Sequence, residues 1–203
     1  MSIGKCTDAL ADAETGLERR PGWAKLYSRK ATALDALQRY NEAIEAWRAA
    51  VDAEDQTGTP EGGWVEPLKL AEQALANKVD QLKKQAAEAL SKGRVDQAVQ
   101  AYTHAIDLDD KNATLFSNRS AAYLSLGEYV EALGDAETGL KLRNDWAKLH
   151  GRKATALDGL CRYSESIKAW RAAIDAADQT GSPEEGWQVP LKLAEHKLVE
   201  QVE

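Results

Sequence analysis

Along "YTHAIDLDDKNATLFSNRSAAYLSLGEYVEALGDAETGL" (Tyr102 to Leu140), apolar residues return at three- to four-residue spacing and stop at short polar breaks. Together with the residues just before it, the stretch carries three stripes: Ala98, Tyr102, Ala105 and Ile106; then Phe116, Ala121 and Tyr123; then Tyr129, Ala132 and Leu133. That spacing predicts helix, turn, helix, turn, helix. The punctuation agrees. Gly93 and Gly127 fall where paired helices need tight turns, and Asn112 and Asp145 are placed to cap the helices that follow. Small residues at Ala86, Ala98, Ser120, Ala132 and Ala154 allow close helix packing, while Tyr102, Tyr123 and Trp170 fill the larger gaps.

The helix pairs recur with a period near 34 residues, giving repeats at about 79–112, 113–146 and 147–180 and a further helix at about 188–203. A longer period overlies this one. Slid by 123 residues, Ser2–Asp80 aligns without a gap on Ser125–Glu203, and about 50 of the 79 pairs are identical. All six tryptophans fall into matched pairs: Trp23 with Trp146, Trp47 with Trp170, Trp64 with Trp187. The first copy therefore holds the second helix of a repeat (about 5–18), a full repeat (23–56) and its following helix, and begins partway through a module. Its loop "DQTGTPEGGW" and the later "DQTGSPEEGW" interrupt the array at matching points. Between Pro67 and Gly93 nothing breaks helix, so one continuous helix at about 67–91 is expected to join a truncated module (1–78) rigidly to a three-repeat module (79–203). A helix-turn-helix unit of this length with this alternation of small and large residues is the tetratricopeptide repeat (TPR) signature. The fold class is accordingly all-α: a TPR superhelix (α-solenoid) of about ten helices, with a concave groove lined by the first helix of each repeat.

The 203 residues carry a formal charge of −7, with 43% hydrophobic and 29% charged residues, a globular composition. The acidic balance argues against a nucleic-acid partner. No apolar run approaches the roughly 20 residues that span a bilayer, and the N-terminal stretch lacks the apolar core of a secretory signal. Cys6 and Cys161 form no CxxC pattern and read as free thiols. These features predict a cytoplasmic protein. His104, His150 and His196 lack metal-ligand spacing, and no nucleophile–base set, paired-carboxylate site or phosphate loop is present, so catalytic residues, metal and cofactor are all expected to be absent.

The candidate chemistry is a set of donors. "WAKLHGRKA" places Lys148 and Arg152 four residues apart, on one helix face, and the first copy repeats the pair as Lys25 and Arg29. "FSNRSAAY" offers Asn118, 30 residues before Lys148, and "LKKQAAEAL" offers Lys83 or its neighbour Lys84, with Lys83 lying 35 before Asn118. These intervals fit the repeat and align the four on the concave wall, a donor-rich pocket suited to carboxylates. The run "LKKQAAEAL…FSNRSAAY…DWAKLHGRKATAL" resembles the carboxylate-clamp TPR domains of the stress-inducible, chaperone-organising co-chaperone family. The resemblance covers about 79–180, and 2–56 through the duplication. It implies that Lys83, Asn118, Lys148 and Arg152 hold the acidic C-terminal peptide of a cytosolic heat-shock chaperone of the seventy- or ninety-kilodalton class. The family's clamp has a fifth member, an Asn on the first helix, which falls at Ala87 here, so a weakened clamp is expected. Lys25 and Arg29 are a residual pair that cannot clamp alone.

The resulting expectation is an adaptor and not an enzyme. Two alternatives stand beside it: a TPR scaffold for another partner with a decayed clamp, and the targeting fragment of a larger enzyme. The helix at 5–18 is further expected to expose Leu10, Ala13 and Leu17 and to promote self-association through the incomplete N-terminal module.

Overall fold

The computed structural model describes residues 3–57, 63–180 and 186–201, all in helices and short turns. The helices in chain order are α1 (Ile3–Arg19), α2 (Ala24–Ala36), α3 (Tyr40–Thr57), α4 (Val65–Ser91), α5 (Val95–Leu108), α6 (Ala113–Leu126), α7 (Tyr129–Leu142), α8 (Ala147–Gly159), α9 (Tyr163–Thr180) and α10 (Gln188–Glu200). The chain divides into two compact units, Met1–Asp80 and Gln81–Glu203, with α4 unbroken across the division. Its 27 residues correspond to a rod of about 40 Å. Pro67 is tolerated because it lies in the first turn, where backbone N–H groups have no intrahelical acceptor anyway. The middle of each interrupting loop, 58–62 and 181–185, lies outside the described residues.

Helices α1 to α3 pack in succession, as do α5 to α10, and in unit two α6 also touches α8. The small residues are the reason the helices approach so closely. Ala86, Ala98, Ser120, Ala132 and Ala154 are all 0% exposed. A Cβ on Gly139 would come within 2.9 Å of the Leu149 methyls, and one on Gly16 within 2.9 Å of Leu26, so α7–α8 and α1–α2 meet at equivalent glycines.

Each turn inside a helix pair needs one left-handed residue to reverse the chain. Gly93 (φ 71°) and Gly127 (φ 76°) supply it as the spacing predicted, but in the duplicated repeat the position is held by Gln38 (φ 58°) and Cys161 (φ 57°). Asn112 caps α6 as expected, its side chain accepting from the Thr114 N–H at 3.2 Å. Asp145 does not cap α8. That helix begins at Ala147, one residue later than the aspartate could serve, and Trp146 is the cap residue. Asp145 instead accepts from Arg143 Nε at 3.3 Å, and the Arg143 guanidinium lies 5.0 Å from the Trp146 ring centre, as Arg20 lies 4.6 Å from that of Trp23.

Bonds of the first copy recur in the second. Trp47 Nε1 donates to Asp35 at 2.8 Å and Trp170 Nε1 to Asp158 at 3.0 Å. Arg48 pairs with Glu72 and Arg171 with Glu195, while Lys30 pairs with Glu14 and Lys153 with Glu137. Burial pushes the Asp35 carboxyl above its ordinary value, and the Trp47 bond opposes the rise.

The expected exposed face of α1 is corrected. Leu10 and Ala13 are buried at 7% and 2%, with Leu10 in one cluster with Ala31, Ala33 and Leu34 of α2, and Leu17 is half-buried. On the neighbouring face of α1, Ala9 and Asp12 are exposed.

Candidate functional site

In unit two the first helices of the second and third repeats are α6 and α8, and they are in direct contact. Asn118 is half-buried on α6. On α8, Lys148 is exposed and Arg152, one turn further on, is half-buried, with its Nη1 atom shielded from solvent. Burial raises the Tyr102 phenol pKa on α5, and the charge of Arg152 pulls it back down. The guanidinium is thus close enough to α5 for its field to be felt there. Lys83 lies on the last part of α4, half-buried, while Lys84 is exposed. Leu82 (7%) and Ala86 (0%) turn inward beside it and fix the rotation of the helix. Ala87 is exposed and brings no donor. Lys25 and Arg29 are both exposed on α2 in unit one.

A feature the sequence reading missed sits next to Asn118. Arg119 donates to both carboxylate oxygens of Asp135 on α7, Nε to Oδ2 and Nη2 to Oδ1, each at 2.8 Å, and its Nη1 donates to Thr103 Oγ1 on α5 at 2.9 Å. The side chains are 16% and 8% exposed. The hydrogen bond to Asp135 holds the guanidinium pKa above its usual value. One guanidinium therefore ties α5, α6 and α7 together and sets the rotation of α6, and with it the direction in which Asn118 faces. A signal was present: Asp135 interrupts the apolar stripe between Ala132 and Ala136, and a carboxylate there needs a partner.

No helix among the described residues is long and apolar enough to cross a membrane. Among the same residues, no group of three or more His, Cys, Asp or Glu is placed to hold a metal.

Family models match the chain in both units. A family model described as TPR repeat matches residues 88–127, and one described as Tetratricopeptide repeat matches 24–57. The heat shock protein sti1 homolog of Schizosaccharomyces pombe is 44% identical over 95 residues, 47% of this chain. The Hsp70-Hsp90 organizing protein of Triticum aestivum is 42% identical over 95 residues, again 47% of this chain. The chain spans 16% of the length of each of these two relatives. Among solved structures, the TPR2AB-domain:pHSP90 complex of yeast Sti1 superposes with a TM-score of 0.56 at 21% identity, covering 95% of this chain and 80% of that one, a likeness of fold.

Proposed function

We propose that this chain, a tetratricopeptide-repeat protein similar to the chaperone-organising co-chaperones, is an adaptor that binds the acidic C-terminal peptide of cytosolic heat-shock chaperones. Lys83, Asn118, Lys148 and Arg152 hold the carboxylates. The observation that supports the reading is the direct contact of α6, which carries Asn118, with α8, which carries Lys148 and Arg152 one turn apart. Lys and Arg present a point charge and a planar fork to the same ligand, and this combination suits a terminal carboxylate and an Asp side chain together. The printed names of the relatives, which include Hsp70-Hsp90 organizing protein, support a partner of the seventy- or ninety-kilodalton class. On this reading the protein is not an enzyme, needs no cofactor and acts in the cytoplasm, and unit one, with only Lys25 and Arg29, holds no peptide of this kind by itself.

The second reading, a scaffold whose clamp has decayed, is favoured by Ala87 alone. One substitution separates the two. A hydrogen bond to a charged acceptor contributes about 1.5–3 kcal/mol, or roughly 10- to 150-fold in affinity. Ala87→Asn is therefore expected to tighten binding of a Met-Glu-Glu-Val-Asp peptide about tenfold or more, measured by fluorescence anisotropy. An unchanged affinity would mean the peptide does not lie along the four residues named.

A further inference from the structure

In unit two the trough between α7 and α8 is filled by α6. Tyr123 and Leu124 pack on the cluster containing Ala132, Leu133, Ala154 and Ala156. Ser120 Oγ donates to the Ala132 carbonyl at 2.8 Å, and Arg119 grips Asp135. In unit one α1 and α2 repeat α7 and α8, yet no helix among the described residues of that unit takes the place of α6. The corresponding trough is an open groove of 420 Å³.

The floor of this groove overlaps the floor that α6 covers in unit two. Of its twelve lining residues, nine are identical to those 123 positions later, among them Ala9, Asp12, Ala13, Thr32 and Ala33. What differs is cover. Ala132 is 0% exposed while its twin Ala9 is exposed. The Asp135 side chain is 8% exposed and doubly bonded by an arginine, while its twin Asp12 is exposed and makes no ion pair among the described residues. Two further differences form a coupled pair. In unit two a Cβ at Gly159 would meet the Tyr129 ring at 2.4 Å, and in unit one the twin positions carry Ala36 and the smaller Cys6. The bulk gained at one position is offset at the other.

We infer that the groove between α1 and α2 docks a separate α-helix with the chemistry of α6: small residues along the contacting face, an aromatic near its C-terminal end, and an arginine that pairs with Asp12. The carboxylate specifies the arginine. Ala9 is exposed, and Ala13 and Ala33 form the base of the groove beside it, all small enough to let a helix backbone come close. The second module of this same chain shows the geometry such a helix takes. This inference concerns unit one and stands apart from the peptide reading of unit two.

The test is a titration of the whole protein with a labelled peptide comprising residues 112–127, followed by anisotropy. The expected result is saturable binding that weakens at least tenfold with Asp12→Lys in the protein or with Arg119→Asp in the peptide. Pairing the Asp12→Arg protein with the Arg119→Asp peptide is expected to restore it. Asp12 is exposed, so these variants leave the fold intact, and circular dichroism checks that they do. Absence of binding overturns the inference. So does binding that ignores Asp12, since the peptide would then lie elsewhere, for instance in place of α6 in unit two. An Asp12-dependent dimer of the protein alone in sedimentation would also overturn it, because the occupant would then be a second copy.

Discussion

Arg152→Glu is expected to abolish binding of a chaperone C-terminal peptide, weakening it by about 100-fold or more while the protein stays folded. Two effects add. The substitution removes a charge-assisted hydrogen bond to the ligand, about 1.5–3 kcal/mol. It also sets a carboxylate against carboxylates, and two unit charges 4 Å apart at an effective dielectric near 20 repel by roughly 4 kcal/mol. Even half of that sum exceeds the 2.7 kcal/mol or so that corresponds to 100-fold. Arg152 is half-buried, so some packing around its stem is lost as well. Arg152→Gln keeps much of the side-chain bulk without the charge and separates the two effects: it is expected to bind weakly and melt near the parent. The twin substitution Arg29→Glu, on the exposed face of α2, is expected to leave peptide binding unchanged. Retained affinity in Arg152→Glu would remove Arg152 from the site.

Arg119→Ala is expected to be the most destabilising single change in unit two, by about 3–5 kcal/mol, because it leaves the Asp135 carboxylate buried without its cation. For a unit of this size such a loss lowers the midpoint of thermal unfolding by on the order of 10 °C. The contrast with the surface pairs is sharp. Arg171–Glu195 and Arg48–Glu72 have side chains 43–63% exposed, and breaking either is expected to cost less than about 1 kcal/mol. Replacing both members of the buried pair, Arg119→Leu with Asp135→Leu, is expected to recover part of the loss, since no orphaned charge remains. Urea unfolding of the three variants checks this. An Arg119→Ala protein within 1 kcal/mol of the parent would show that the bidentate pair does not hold α6 in place. Because Arg119 adjoins Asn118, peptide binding by the folded fraction of Arg119→Ala should weaken too.

The features that could be read from the sequence are those governed by local spacing. The five small residues named from the repeat are all fully buried, Gly93 and Gly127 make the left-handed turns, and Asn112 caps α6. What could not be read depends on which helix lies across the way. Leu10 and Ala13 looked like an unpartnered stripe, but α2 covers them and leaves Ala9 and Asp12 open instead, a rotation of α1 that its own periodicity does not reveal. Asp145 has the chemistry of a cap, yet Trp146 occupies that place, with its ring against the Arg143 guanidinium. The left-handed turns at Gln38 and Cys161 carry no glycine to announce them. In the site, the Lys148–Arg152 spacing and the α6 position of Asn118 were legible, while the Arg119–Asp135–Thr103 set that orients α6 joins three helices and has no linear signature.

The central claim is that the donors on α4, α6 and α8 recognise a free C-terminal carboxylate. The measurement that tests it most directly is a titration with labelled Met-Glu-Glu-Val-Asp and with the same peptide amidated at its C-terminus. The expected result is micromolar binding of the free acid that falls at least tenfold on amidation, since one charged acceptor is removed from the clamp. Equal affinity for the two peptides, or binding of neither, would contradict the assignment.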